Sequence, residues 1–507
     1  MSKAKILKGA TITGLALIGA ACLSTTAAAM DSFMVGSRAT GMAGATVAST
    51  SDLAAQYYNP AAFAFMGMMD QGEDGTEFKF DSDNNNLGRK DWGIDLNVGL
   101  GYRLHNEFGS YLDGISEIDP DSLSKNGIQN IQDLENLIHL AHDLTGLDDP
   151  GNAASINTTF GLGLRVKHFA IGGHSYIQAY GRVLNLDTTN LGINVSGSDL
   201  NADILGITMP AGYATYTPAV FDSSQRNQLA ATGLSQEAIN RMDYIADHSG
   251  LATLTIQETV DLLASMANQS GSSTLDDNQT MILLNGFGVI EVPITYGHSF
   301  NEHFGIGANF KLMRGRVYGN QVLVVQNDSG QAMESFDEQY QETTTFGLDI
   351  GVMARFPKVN LGLVCRNLNG PTFDGLTVTT NSMTYKVDDV KIDPSLTFGA
   401  AFIPFETLTL ESDLDLTTNE TALPGYDSQY LRFGLEWDAF RFLALRVGAY
   451  KNLAESDIDW VYAAGLGLNL WAVRLDLGAN MASSSTQYDG EDIPKELNVQ
   501  AQLSIDF

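Results

Sequence analysis

Strict alternation of apolar and polar residues, sustained along most of the chain, constrains this fold more than any other feature. It is clearest at the C-terminal end. Leu497, Val499, Ala501, Leu503, Ile505 and Phe507 are apolar, and Asn498, Gln500, Gln502, Ser504 and Asp506 between them are polar. Side chains of a strand point to opposite faces in turn, so such a segment has one apolar and one polar face. A strand with lipid on one side and a polar lumen on the other requires this pattern.

The N-terminus indicates the compartment. Lys3, Lys5 and Lys8 precede an uncharged apolar stretch from Ala10 to Leu23, and Ala27, Ala28 and Ala29 supply small residues for cleavage. Residues 1–29 therefore read as a secretory signal peptide, with Met30 near the mature start. The apolar stretch falls short of the ~20 residues that a spanning helix needs. Gly19 stands three before Cys22, where a lipoprotein signal wants Leu or another aliphatic residue. No later window reads as a transmembrane helix. A bilayer admits only helices and closed barrels, because every backbone N–H and C=O must be paired. Signal, strands and lack of helical spans point to a bacterial outer membrane.

Fourteen alternating segments follow: Trp92–Leu104, Thr158–Val166, Tyr176–Leu186, Phe287–His298, His303–Val317, Thr345–Phe356, Val359–Leu368, Ser395–Ile403, Leu408–Thr417, Tyr430–Trp437, Phe442–Tyr450, Val461–Leu470, Val473–Met481 and Leu497–Phe507. The links between them are alternately long and short, the short ones near Gly172, Asn301, Pro357, Phe405, Ala439 and Trp471. Outer-membrane barrels have short periplasmic turns, long outer loops and usually an even strand number. The expected class is all-β: a transmembrane antiparallel β-barrel of about 14 strands over residues 76–507. Helical inserts are expected in two extracellular loops, near 112–150 and 230–270. In the first, Ile128, Ile131, Leu134 and Ile138 mark an amphipathic stretch. In the second, Ile239, Met242 and Ile245 mark one helix, and Thr255 with Glu258 form a capping box ahead of Val260, Leu263 and Met266.

The chain carries 28 basic and 60 acidic residues, a net charge of −32. Loss of the leader removes three lysines and no acid, leaving about −35. Nucleic acid is excluded as a direct partner, because phosphate binding needs clustered cations. The acidic excess suits solvated loops and divalent bridges to lipopolysaccharide among the outer-membrane lipids. With Cys22 in the leader, Cys365 stands alone and no internal disulfide framework is expected.

Residues 30–75 do not alternate. They hold the Gly-rich run Gly36-Ser37-Arg38-Ala39-Thr40-Gly41-Met42-Ala43-Gly44-Ala45, then Asp52, then Asn59-Pro60-Ala61-Ala62. Composition implies compact turns and a short helix, with Asn59 placed to cap a helix that Pro60 opens. The lumen is the simplest place for a pre-barrel segment of this length. This run resembles the N-terminal hatch of the FadL-like outer-membrane transporter superfamily, through Ser37-Arg38-Ala39, Gly41-Met42, Gly44-Ala45, Asp52 and Asn59-Pro60-Ala61. The helical insert after the first strand, and the late run from Leu431 through Leu435 and Arg446 to Leu477, resemble the plasmid-transfer TraF-type outer-membrane proteins most. The resemblance implies fourteen strands around a plug. For the transporters it implies passage of hydrophobic molecules past the hatch, and for the TraF-type group an association with conjugal transfer.

Chemistry-bearing clusters are sparse. His139 and His142 are three apart on a helix with no third ligand. Asp81, Asp83 and Asn85 resemble the start of a calcium loop, but Asn86 occupies the glycine position. Gly173-His174-Ser175 reads as a turn. No Ser-His pairing has supporting context, so neither catalysis nor a cofactor or metal is expected. Asp413 and Asp415 share one strand face and read as lumen-lining. Charges of both signs fall on the polar face: Asp95, Arg103, Lys311, Asp349, Arg355, Arg432, Glu436, Arg446, Arg474 and Asp476. Buried charges must pair, so these form either a cross-barrel network holding the plug or a polar ligand path. Two functions remain open. One is a channel that takes up or binds hydrophobic small molecules. The other is a structural component of a conjugative or secretion apparatus, with transfer proteins as partners.

Overall fold

The computed structural model describes residues 33–66, 70–71, 77–78, 92–118, 128–187, 190, 197–249, 256–267, 278–323, 339–380, 383–439, 442–470, 472–488 and 490–506. The expected leader, the Asp81–Asn85 run, Thr255 and Phe507 lie outside them.

Fourteen antiparallel strands close into one barrel, each paired with its sequence neighbours. They are β1 (Trp92–His105), β2 (Ala153–Val166), β3 (Phe169–Asn185), β4 (Met281–Ser299), β5 (Phe304–Leu323), β6 (Tyr340–Arg355), β7 (Val359–Arg366), β8 (Ser395–Phe405), β9 (Leu408–Asp415), β10 (Tyr430–Ala439), β11 (Leu443–Asn452), β12 (Val461–Leu470), β13 (Val473–Ala482) and β14 (Glu496–Asp506). β14 closes the ring on β1, with Leu503 opposite Leu96 and Gln500 opposite Gly99. Alternation sets the two faces. On β1, Trp92, Ile94, Leu96, Val98 and Leu100 are exposed, whereas Asp95, Asn97 and Arg103 are buried inside. At the short-turn end Trp92, Phe169, Phe304, Trp437 and Phe442 stand exposed, an aromatic belt of the kind that marks a membrane interface.

Every expected strand is present, and several run further. β4 begins at Met281 and β5 reaches Leu323. The expected turn near Gly172 is a correction. The chain reverses at Lys167, whose φ is +52°, and His168, so Gly172-Gly173-His174-Ser175 continues β3. The glycine has a packing purpose: a Cβ on Gly172 would lie 2.6 Å from Oε1 of Gln56 in the pre-barrel segment.

The pre-barrel residues 33–66 lie within the barrel and are almost wholly buried. They form helix α1 (Ser37–Gly41), one turn α2 (Ala55–Tyr58) and a 3-10 turn at Pro60–Ala64. Asn59 caps the 3-10 turn through its Oδ1, which accepts from Ala61 N at 3.0 Å, with Pro60 at the first position, where it needs no donor.

The loops after β1 and β3 build one helical cap from α3 (Phe108–Glu117), α4 (Ile131–Asp148), α5 (Gly197–Gly206), α6 (Ser223–Ala231), α7 (Gln236–His248) and α8 (Ile256–Ala267). The apolar stripes meet one another: Leu134, Leu137 and Ile138 of α4 pack with Ile204 of α5, Ile239 and Met242 of α7, and Val260 of α8. Asp243 in this core is fully buried and accepts from Tyr216 OH (2.7 Å), Ala219 N (2.9 Å) and Phe221 N (2.8 Å). The second insert begins at Gly197 rather than near 230, because α5 and α6 are short and α6 is largely polar (SSQRNQLAA), with little periodicity to read.

Candidate functional site

The site is the lumen, and it is layered. At the short-turn end a belt of inward glycines receives the plug backbone. A Cβ on Gly399 would lie 2.8 Å from Val47 Cβ, on Gly434 2.7 Å from Met42 O, on Gly465 2.8 Å from Gly41 Cα, and on Gly478 2.5 Å from Ser37 O. Gly297, Gly307 and Gly351 leave room in the same way for Ala64, Pro60 and Asn59. Only residues without a side chain allow two backbones to approach so closely. Gly36 and Gly44 of the plug have φ of +85° and +81°, which suits glycine.

Charges lock the plug onto one wall. Arg38 pairs with Glu436 at 3.0 Å, and Glu436 also takes Arg446 at 2.5 Å. Arg446 continues to Asp476 at 2.6 Å, which pairs with Arg474 at 2.9 Å, and Arg474 reaches Asp52 of the plug at 3.5 Å. The circuit alternates in sign, so each buried charge has a partner. Gln502 Oε1 accepts from Ser37 N at 2.9 Å, and its Nε2 donates to Asp95 at 2.5 Å. Asp413 Oδ2 accepts from Thr46 N (2.8 Å) and Val47 N (2.9 Å), and Glu411 from Ala48 N (2.6 Å). Asn59 Nδ2 donates to Val47 O at 2.9 Å and Val352 O at 3.3 Å, and Asn309 Nδ2 to Gln56 O at 2.6 Å.

The remaining lumen charges lie outside this circuit. Lys311 pairs with Asp349 at 3.0 Å and Glu291 at 3.7 Å, above the plug. Arg432 pairs with Asp415 at 2.8 Å. Arg355 stacks on Phe65 of the plug, 4.8 Å from the ring centroid. Arg103 is away from the plug, near the long-loop end, bonded to Glu496 at 3.0 Å and Tyr430 OH at 3.1 Å. The named charges thus divide between plug, upper lumen and mouth. Sequence reading passed over Gln502, Glu411 and Asn309; all three occupy polar positions of the alternation, which was the available signal.

Above the polar belt the inner wall changes character. Phe287 and Val289 of β4 and Met313 and Val317 of β5 point inward and are buried. Phe373, Val378, Val387, Val390 and Ile392, from the loop between β7 and β8, cover them, and Phe33 and Tyr58 of the plug complete the cluster. Phe287 and Phe373 meet at 4.9 Å between centroids. Two cavities lie beneath this layer, about 60 Å³ and about 20 Å³. A larger concavity of about 690 Å³, lined by Phe402, Leu410, Phe433 and Val447, is on the outer wall and belongs to the lipid-facing surface.

Among the described residues no group of three His, Cys, Asp or Glu side chains is placed to hold a metal ion. His142 packs edge-on to Tyr111 at 5.7 Å, inside the cap rather than on an open face, and burial lowers its pKa. Burial pushes the neighbouring Asp143 carboxyl up to about 7.

Fold and lumen define an outer-membrane β-barrel closed by its own N-terminal segment. Residues 56–415 match the family described as "F plasmid transfer operon, TraF, protein", and the chain belongs to that family. No curated protein matches it. Among solved structures it is similar to the Pseudomonas putida toluene transporter TodX (11% identity, 93% of this chain and 98% of that chain, TM-score 0.45). It is similar also to the Ralstonia pickettii toluene transporter TbuX (10%, 93% and 98%, TM-score 0.44) and to a Pseudomonas aeruginosa FadL homologue (11%, 94% and 100%, TM-score 0.43).

Proposed function

We propose that the barrel binds hydrophobic small molecules at its mouth and admits them past the plug. The observation that carries this reading is the inward apolar layer of Phe287, Val289, Met313 and Val317. The lumen of a water-filled pore is polar, and an apolar lumen wall has no use for a hydrophilic solute. Burial of a ligand's apolar surface there supplies the driving force. Cavities of about 60 and 20 Å³ have room for water and not for a ligand: a water needs about 10–15 Å³, and ligand pockets run to ~300–1,000 Å³. On this reading the arrangement is a closed state, and entry requires the loop that carries Phe373, Val378, Val387, Val390 and Ile392 to lift from the wall.

The domain reading follows the same lines: residues 30–75 act as the hatch, with Arg38, Asp52 and Asn59 as its fastenings and Gly36, Ser37, Gly41, Gly44 and Pro60 as its contact surface. The family description links this chain to plasmid transfer; in a structural role in a transfer apparatus the apolar layer would serve only to pack the loop between β7 and β8 against the wall.

The test is binding of the fluorophore N-phenyl-1-naphthylamine to the purified barrel in proteoliposomes. Saturable fluorescence, lost on Val289→Asp or Met313→Asp with the barrel still folded by heat-modifiable gel mobility, supports the reading. Equal signals from the wild type and both variants would sink it.

A further inference from the structure

The two lumen cavities share residues at one boundary. The upper is lined by Lys311, Glu291, Asp349, Tyr176 and Ile392, and the lower by Phe33, Met34, Gly44, Val364 and Arg432. Tyr57 of the plug and Arg366 of β7 line both. The Arg366 guanidinium carbon lies 4.7 Å from the Tyr57 ring centroid. We propose that this stacked pair is the gate between the chambers, which a solute crossing from the mouth toward the plug must part. The proposal rests on the transport reading above.

Three observations single out this pair. First, the other cations of the chambers are tied down: Lys311 by Asp349 and Glu291, and Arg432 by Asp415. The Arg366 side chain makes no ion pair or hydrogen bond with any described residue, and its Nε is buried without an acceptor. A cation–π contact holds less strongly than the buried ion pairs beside it, so Arg366 is the chamber cation that moves at least cost. Second, Arg366 is at the last inward position of β7, above Gly362 and Val364, where the strand gives way to the loop that covers the apolar layer. Motion of that loop therefore reaches Arg366 directly along the chain. Third, Tyr57 is a plug residue whose hydroxyl accepts from Phe33 N at 3.0 Å, and whose ring meets Tyr58 at 5.1 Å and Tyr176 at 5.8 Å. The ring is held from the plug side by a hydrogen bond and two ring contacts, whereas the guanidinium is held by the stacking contact and no hydrogen bond, so the arginine is the moving half of the gate.

The experiment reads access to the lower chamber and needs no ligand. In a Cys365→Ala background, Val364→Cys places a thiol in the lower chamber and Ser428→Cys one in the upper. The membrane-impermeant reagent 2-(trimethylammonium)ethyl methanethiosulfonate is added to the full-length barrel in proteoliposomes. Val364→Cys is expected to react slowly and to speed up at least about tenfold with Arg366→Ala, because the desolvated stacking contact no longer has to be broken. Ser428→Cys should react at the same rate with or without Arg366→Ala, which shows that the mouth is unchanged. Arg366→Lys should fall between, because it keeps the charge and loses the plane. Val364→Cys reacting at one rate in both backgrounds, fast or slow, overturns the gate. Because the readout is a thiol, that failure leaves fluorophore binding to the apolar layer unaffected.

Discussion

Gly41 of the plug and Gly465 of β12 face each other so closely that a Cβ on either residue would lie 2.8 Å from the Cα of the other. Plug and wall meet there as two bare backbones, and no side chain can yield. Gly465→Val is expected to push α1 off the wall at a cost of about 1–3 kcal/mol, as overpacking does. Arg38 is in α1, so limited trypsin digestion reads the displacement directly. Cleavage after Arg38 should be faster in the variant; an unchanged digest would mean the belt does not hold the plug.

Glu436 bridges Arg38 and Arg446, and its side chain is 1% exposed. Glu436→Gln leaves Arg38 buried without its counter-charge, and breaking a buried pair in this way costs about 3–5 kcal/mol. Removing the stranded cation as well, in Arg38→Met/Glu436→Gln, should restore part of the loss, with a coupling of about 0.5–3 kcal/mol. Urea titration of the refolded barrel, followed by tryptophan fluorescence in the wild type, both single variants and the double, measures both. Additive effects would remove Glu436 from the role of plug anchor.

The helical cap should depend on pH through Asp143. Burial raises its folded pKa to about 7 from the ordinary 3.8. Between these values the folded cap binds the proton more tightly than the unfolded chain does. Stability is then full below about pH 4, falls as pH rises through the window, and levels off above about pH 7. Asp143→Asn should flatten this slope. Thermal melts followed by helical circular dichroism at pH 4.5 and 7.5 decide it, and a wild-type cap more stable at pH 7.5 with the slope unchanged in Asp143→Asn would contradict the assignment.

The strands were legible because a lipid-facing wall forces period-two alternation over long runs; on β1 the buried and exposed positions follow the residues one by one. The plug was legible as a segment and its fastening was not. Arg38 and Glu436 are 398 residues apart, and nothing local pairs them. Gly172 read as a turn because a glycine pair punctuates a chain in the same way whether it bends or makes room for Gln56. Arg366 drew no attention because a single arginine at an inward position resembles any other lumen charge. That its Nε has no acceptor and its guanidinium stacks on Tyr57 is visible only in three dimensions. The apolar layer was hidden for a related reason: Phe287, Val289, Met313 and Val317 break the polar-inside rule only once their facing is known.

The most direct measurement is mass spectrometry of what co-purifies with the refolded or extracted barrel, paired with sugar-driven swelling of liposomes that contain it. A route lined by the apolar layer and closed by the plug should yield a bound hydrophobic or amphipathic molecule and no swelling. An empty barrel that stays sealed, or one that passes sugars freely, would contradict it.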